Sequence, residues 1–269
     1  MQLKTITGIH GVPRSGTSWL AQIFNASPDV ALKFQPLFSY SFKGYISLDS
    51  DKDEIDTFFR EIYRSNDEFI NMKDKKIHYS YPVFKKNESP EHLVFKHIRY
   101  HYLIEYILKT NNLVKFILII RNPLSVLSSW KNAPIEFKRD WDFMQEWEFA
   151  LNKNQKRKEE YFGYFKWKEA TSLFLKLKEN NPDRVFIVRY IDLLQDTLKN
   201  VKKLFEFSQI PMSSQVERFI VESKSKTIED KNSVYRLKNS DDIWGDLPKQ
   251  VIKKIQNDLK NTNLELFLE

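Results

Sequence analysis

The stretch Ile9-His10-Gly11-Val12-Pro13-Arg14-Ser15-Gly16-Thr17-Ser18-Trp19-Leu20 decides the fold. Apolar, β-branched residues from Ile6 to Ile9 lead into it, and a helical pattern (Leu20, Ile23, Phe24) leaves it. The order is therefore strand, glycine turn, helix N-terminus. Such a junction is an anion site, because the turn's N–H groups and the positive end of the helix dipole meet at one point. Three of the chain's six glycines, Gly8, Gly11 and Gly16, fall within the first sixteen residues. That concentration sets this turn apart from an ordinary strand-to-helix connection.

The spacing of Gly11, Gly16, Thr17 and Ser18 lies close to the phosphate-cradling pattern G-x-x-x-x-G-K-[ST]. Where that pattern has Lys, this chain has Thr17, and its cation, Arg14, stands inside the loop. The lysine of a nucleotide-hydrolysing loop reaches the β- and γ-phosphates, and the hydroxyl after it helps hold Mg²⁺. An arginine within the loop suits a shorter anionic group, which it grips with a planar, permanently charged fork.

A second site follows one hundred residues later. Val114 to Ile120 is a nearly continuous apolar run, the mark of a strand buried on both faces of a parallel sheet. It ends in Arg121-Asn122-Pro123, where Asn suits the N-cap and Pro the first position of a new helix. Ser125 and Ser129 then share one helix face. Comparable strands in nucleotide-hydrolysing proteins end in an acidic residue that holds Mg²⁺. This one ends in a cation, which fits a second phosphate bound without metal.

Pro13-Arg14-Ser15-Gly16-Thr17-Ser18-Trp19 together with Arg121-x₇-Ser129 resembles the pair of signatures found in sulfotransferases that use 3′-phosphoadenosine 5′-phosphosulfate (PAPS) and release PAP. Val188-Arg189-Tyr190-Ile191-Asp192-Leu193-Leu194 is similar to the family's Tyr-Glu-Asp-Leu strand end, with Ile191 where Glu is common. The details look closest to bacterial and carbohydrate-type members. The resemblance implies that Arg14, Ser15, Gly16, Thr17, Ser18 and Trp19 cradle the 5′-phosphosulfate and that Arg121 and Ser129 hold the 3′-phosphate. Tyr190 would join the donor site. Arg236 and, more weakly, Lys238, in a basic segment before Trp244-Gly245, would close over the 3′-phosphate and adenine. The implied reaction is in-line transfer of a sulfuryl group to a hydroxyl or amine, without metal. Cations and N–H donors supply much of the catalysis by stabilising charge on the leaving and transferring oxygens.

The general base is where the chain departs from the family. Several carbohydrate and protein sulfotransferases carry a Glu after the first helix and turn, where this chain has Gln35 in Lys33-Phe34-Gln35-Pro36. An amide cannot take a proton, though it can orient an acceptor. The substitute lies in Leu93-Val94-Phe95-Lys96-His97-Ile98-Arg99-Tyr100-His101. That segment resembles the place where phenol-type enzymes set a Lys and a catalytic His. His97 is then the expected base, since imidazole titrates near neutral pH. Lys96 would stabilise the sulfuryl group, with His101 as the alternative base and Arg99 as a phosphate contact.

Composition narrows the field. The net charge of +7 suits a doubly phosphorylated, sulfated donor. Zinc, RNP and helix-turn-helix patterns that would argue for nucleic acid are missing from the sequence. The chain has no cysteine, hence no disulfide framework and no thiolate metal site. No apolar run approaches membrane-spanning length, and Met1-Gln2-Leu3-Lys4 runs directly into the first strand. A cytoplasmic protein without an integral membrane segment is expected.

At 269 residues the expected architecture is one α/β domain over residues 1–269. It is P-loop-like and three-layered, with a central parallel sheet flanked by helices. Expected strands are Ile6 to His10, Val30 to Phe34, Leu93 to Lys96, Val114 to Ile120 and Val185 to Val188. A helical insertion falls at about 45–91, with an amphipathic helix from Ile55 to Arg64. An aromatic-rich helical segment falls at about 140–168 and offers either core packing or an acceptor wall. Asp196 is the expected cap of one late helix, and Asp246 with Pro248 the start of another. The acceptor is expected to be a carbohydrate or another small hydroxylated molecule. A small-molecule or nucleotide kinase and a non-catalytic PAPS- or PAP-binding protein are the alternatives. The missing loop lysine and the basic end of the second strand argue against the kinase, and Gln35 motivates the non-catalytic reading.

Overall fold

The computed structural model describes residues 3–73, 81–225 and 244–269. Five strands form one parallel sheet: β1 (Thr5–His10), β2 (Val30–Phe34), β3 (His92–His97), β4 (Val114–Ile120) and β5 (Val185–Arg189). Their order across the sheet is β2-β3-β1-β4-β5. Ile9 lies beside Lys96 on one side and Ile117 on the other, and His10 lies beside His97 and Leu118. After β1 the chain crosses toward β2, whereas after β4 it crosses toward β5. The reversal point falls between β1 and β4, where ligands of open α/β sheets collect beyond the strands' carboxyl ends.

Two hydrophobic layers sandwich the sheet. On one face Ile9, Val94, Ile117, Ile119 and Val188 pack against helix α1 (Thr17–Asn25) and the C-terminal helices that follow β5. On the other face Phe95, Phe116, Leu118 and Ile120 pack against α2 (Lys52–Arg64), α3 (Ile104–Thr110), α4 (Pro123–Lys131) and the long Tyr164–Asn180 helix. This is the three-layer arrangement expected for buried parallel strands. Gly8 permits part of it. A Cβ there would stand 2.6 Å from the Phe116 ring and 2.7 Å from Phe95, so a side chain would push these two rings apart.

The insertion carries α2, which opens with a capping box: Asp51 accepts from the Glu54 N–H, and Glu54 accepts from the Asp51 N–H. Ile55, Phe58, Phe59 and Ile62 are its buried face. Two lysines, buried Lys33 and half-buried Lys86, tie neighbouring parts of the insertion to the core. Lys33 Nζ donates to Asn71 Oδ1 at 2.7 Å, and Lys86 Nζ donates to the Ser27 and Val30 carbonyls at 3.0 and 2.7 Å.

In the aromatic-rich segment, Phe143, Trp147, Tyr161, Phe162, Tyr164 and Trp167 are buried in the core. Phe149 and Phe165 are more exposed and stack on one another with centroids 4.6 Å apart. Packing, rather than an acceptor wall, accounts for the buried majority. Asp196 caps the Thr197–Ser208 helix through the Lys199 N–H, as expected. Asp246 behaves differently from its sequence expectation. It accepts from Ser128 Oγ at 2.6 Å and Asn132 Nδ2 at 2.7 Å, while Pro248 stands at the cap of the Lys249–Leu259 helix. Asp246 thus anchors that final helix to α4 instead of initiating it. Among the described residues, no helix is long and apolar enough to cross a membrane.

Candidate active site

The loop after β1 is built for an anion. The Ser15 N–H closes a turn onto the Val12 carbonyl at 3.2 Å. Arg14 at φ 72° and Gly16 at φ 90° both adopt the left-handed region, which turns backbone donors toward a common concavity. Gly16 is also confined sterically, since a Cβ would stand 2.4 Å from Tyr190 Cε2. It caps α1 without any side-chain hydrogen bond, so side chains leave the helix's first-turn donors to a ligand. Ser15 is fully buried and its Oγ has no hydrogen-bond partner. A buried, unpartnered hydroxyl beside a helix N-terminus fits a phosphate or sulfuryl oxygen. Thr17, Ser18 and Trp19 form the first turn above it. Trp19 is held by Nε1 donating to Ser223 Oγ at 3.0 Å.

Arg121 follows β4, and Asn122 caps α4 as expected, accepting from the Leu124 N–H at 2.9 Å with Pro123 next. The Arg121 carbonyl accepts from Trp167 Nε1 at 2.9 Å, and its Nη1 donates to the Arg14 carbonyl at 2.8 Å. Its guanidinium lies over the Tyr190 ring, 4.7 Å from the centroid. Tyr190 meets Trp19 edge-on at 6.2 Å. Arg14 Nε in turn donates to Ser129 Oγ at 3.1 Å. The two anion sites that the sequence sets 107 and 115 residues apart are one network at the reversal point of the sheet. Tyr190 supports the loop from behind, through Gly16 and Arg121.

A second group of polar residues gathers beyond the ends of β2 and β3. The Gln35 N–H donates to the Lys96 carbonyl at 2.8 Å, and Gln35 Oε1 accepts from Arg99 Nη1 at 3.0 Å. Guanidinium can only donate, so the carboxamide's orientation is fixed and its NH₂ is left to donate elsewhere. Arg99 Nε donates to Glu160 Oε1 at 2.9 Å, and the guanidinium covers the Phe38 ring at 4.0 Å. Both members of this ion pair are buried, and Glu160 Oε2 has no partner. Lys96 is 2 % exposed and its Nζ stands 4.5 Å from the Phe34 ring centroid. Burial first, then the like charges of Arg99 and Arg14 against the opposing pull of Glu136, push its amine down to about 7.

Lys96 and His97 are not brought together. Alternation along β3 sends Lys96 to the α1 face with Val94, and His97 to the opposite face with Phe95. There His97 lies 5.4 Å from the His10 ring, and His10 Nδ1 is 3.1 Å from His101 Nδ1. All three imidazoles are buried, and both ring nitrogens of His97 have no partner. Burial dominates their chemistry. It lowers His10 to about 3, with Lys96 assisting, and holds His97 and His101 well below the ordinary imidazole range. His10 was in plain view in the sequence, but only strand register shows it facing His97. Glu160 gave no signal, since it follows a basic surface run. Arg236 and Lys238 lie outside the described residues. Among the described residues, no group of three or more His, Asp or Glu is arranged to hold a metal.

The sulfotransferase domain model matches residues 6–269, and the chain belongs to the sulfotransferase family. No curated protein matches the sequence. Among solved structures, it is similar to mouse sulfotransferase SULT7A1 complexed with PAP. The identity is 18 %, with a TM-score of 0.56, over 98 % of this chain and 88 % of that one. It is similar to retinol dehydratase in complex with androsterone and inactive cofactor PAP, at 15 % identity and a TM-score of 0.55, covering 98 % and 83 %. Sulfotransferase STF9 from Mycobacterium avium also matches, at 15 % identity and a TM-score of 0.51, covering 98 % and 79 %. At these identities the likeness speaks for the fold.

Proposed function

We propose that the protein transfers the sulfuryl group of PAPS to a hydroxyl of a carbohydrate or similar small polar acceptor. The observation that carries this reading is the single network Ser129–Arg14–Arg121–Tyr190–Gly16 at the sheet's reversal point. It offers two guanidinium groups, a helix N-terminus and the free Ser15 hydroxyl to a ligand with two anionic ends. PAP bound in two of the structural relatives supports the same donor.

The acceptor side is the Gln35, Lys96, Arg99 and Phe38 group. Gln35 presents N–H donors of fixed orientation to an acceptor oxygen, and partly exposed Phe38 offers a ring face. Lys96 lies on the same sheet face as α1 and is the group we assign as base. Its amine takes the acceptor's proton as the acceptor oxygen bonds to sulfur and the bond from sulfur to the 5′-phosphate oxygen breaks. Arg14, Ser15 and the loop N–H groups stabilise the charge that gathers on the oxygens.

The deciding experiment incubates the protein with PAPS and a panel of sugars, lipids and phenols, and scores PAP release together with product mass. Sulfated product with PAP release is expected, and it should persist in EDTA. Tight PAP binding without transfer to any acceptor would favour the non-catalytic reading.

A further inference from the structure

Half-buried Lys86 donates to three main-chain carbonyls, those of Asn25, Ser27 (3.0 Å) and Val30 (2.7 Å). Asn25 ends α1 and Val30 opens β2. The three oxygens therefore converge where the negative end of a helix dipole meets the edge of the sheet. Among the described residues no carboxylate pairs with Lys86, and burial alone lowers its amine to about 7. Only the carbonyls favour the charged form there. Neutral oxygens at these separations suit a large monovalent cation, ammonium or potassium, as rings of backbone carbonyls do in ion filters. Magnesium and calcium favour carboxylates and shorter contacts. The cation secures residues 81–87, which have no regular structure of their own. Gln215 of the Ser214–Ser225 helix donates to the Ala26 carbonyl at 2.7 Å and the Lys85 carbonyl at 3.0 Å, and Phe84 meets Phe219 edge-on at 5.0 Å. At the other end of the segment Tyr81 lies 6.4 Å from the Phe34 ring, and that ring stands 4.5 Å from Lys96 Nζ.

We propose that the Asn25, Ser27 and Val30 carbonyls form a monovalent-cation site that the Lys86 ammonium fills as a tethered ion, and that Lys86 is thereby a positioning residue for the acceptor. It pins residues 81–87 and so keeps Tyr81 beside Phe34, next to Lys96. The positioning half rests on the acceptor reading above, whereas the cation site stands without it.

Two variants test this, Lys86→Ala, which empties the cage, and Lys86→Met, which fills it without charge. Each is compared with wild type in lithium, sodium, potassium and ammonium chloride at equal ionic strength. The pH is about 6.5, below the value at which the Lys86 amine titrates. Urea midpoints, PAP affinity by calorimetry, and KM and kcat for the best acceptor of the panel above are the readouts. In lithium, Lys86→Ala should lower the urea midpoint and raise the acceptor KM about tenfold, with PAP affinity and kcat near wild type. Potassium or ammonium should restore both the midpoint and KM, because an ion that binds only the folded state stabilises it. Lys86→Met should show the same losses without rescue, and wild type should respond alike to all four salts. Equal ion dependence in Lys86→Met, or no rescue of Lys86→Ala in any salt, folded or not, would overturn the cation site. A rescued midpoint with an acceptor KM that never moves would overturn the positioning role alone. Sulfated product from no acceptor would overturn the acceptor reading, and the midpoints would still decide the cation site.

Discussion

Lys96 and His97, adjacent in the chain, leave β3 on opposite faces of the sheet. A strand's side-chain period of two allows nothing else. Lys96 therefore shares the α1 face with the loop after β1, whereas His97 joins His10 and His101 in a buried imidazole cluster. The lysine is buried enough to be partly neutral near pH 7, and it lies beside the polar Gln35 and Arg99 group.

Turnover should follow Lys96 and not His97. Lys96→Met is expected to reduce kcat by about 10²- to 10⁴-fold, the usual range for a lost general base, with PAP affinity close to wild type. His97→Gln, assayed at a temperature where the variant is folded, should change kcat far less. The wild-type rate should rise with pH through about 7 as the Lys96 amine deprotonates. A large loss of kcat in His97→Gln with intact PAP binding would return the base to the histidine cluster.

The imidazole cluster makes the protein acid-sensitive. His10 titrates at about 3 in the fold, against 6.5 in the unfolded chain, and His97 and His101 shift in the same direction. Between these values the unfolded state binds more protons. Stability is therefore fully present above pH 6.5 and falls as the pH drops toward 3. Each histidine contributes a slope of about 1.4 kcal/mol per pH unit. Urea midpoints between pH 7.5 and 5 should decline accordingly, and His101→Phe should flatten the decline by about one proton's worth. An unchanged slope in that variant would remove His101 from the linkage.

Gly16 has no acceptable replacement. Alanine there meets a positive φ that costs about 1–2 kcal/mol and a Tyr190 ring 2.4 Å from its Cβ. Gly16→Ala should lose PAP binding and lower the thermal midpoint. Tyr190→Phe keeps the ring beneath Arg121 and beside Trp19, and should retain binding. Comparable losses in both variants would mean that the tyrosine hydroxyl, not loop shape, matters.

The loop after β1 and the turn after β4 were legible because each is local. Glycine positions, a strand end and a helix cap are chemistry written in consecutive residues, and both Asn122 and Gly16 behave as their neighbours require. The strands were readable for a similar reason, since apolar runs such as Phe116 to Ile120 and Val185 to Val188 mark buried parallel strands. The polar group beyond β2 and β3, which we propose as the acceptor side, is non-local. Gln35, Arg99 and Glu160 come from the end of β2, the turn after β3 and the approach to the Tyr164–Asn180 helix. Only packing shows that a buried carboxylate answers Arg99. The pairing of Lys96 with His97 failed on strand alternation, and the Asp246 cap failed because Ser128 and Asn132 offered it better partners.

Arg99 and Glu160 offer the sharpest energetic test of that acceptor side. The pair is almost wholly buried, with side-chain exposures of 7 % and 3 %. Removing Glu160 leaves the Arg99 charge buried without its carboxylate, and removing Arg99 leaves Glu160 with only the more distant, half-exposed Arg157 at 3.7 Å. Breaking such a buried pair typically costs about 3–5 kcal/mol. Glu160→Gln should therefore lower stability by about that amount in urea unfolding. Arg99→Met should do likewise, and the double variant should cost clearly less than the sum. The pair also holds Gln35, because Arg99 Nη1 fixes the carboxamide. Gln35→Glu offers Arg99 a second carboxylate and removes the N–H donors facing the acceptor. It should leave stability near wild type while raising the acceptor KM more than it lowers kcat. An unchanged KM would remove Gln35 from acceptor binding, and a strictly additive double variant would show that Arg99 and Glu160 do not depend on one another.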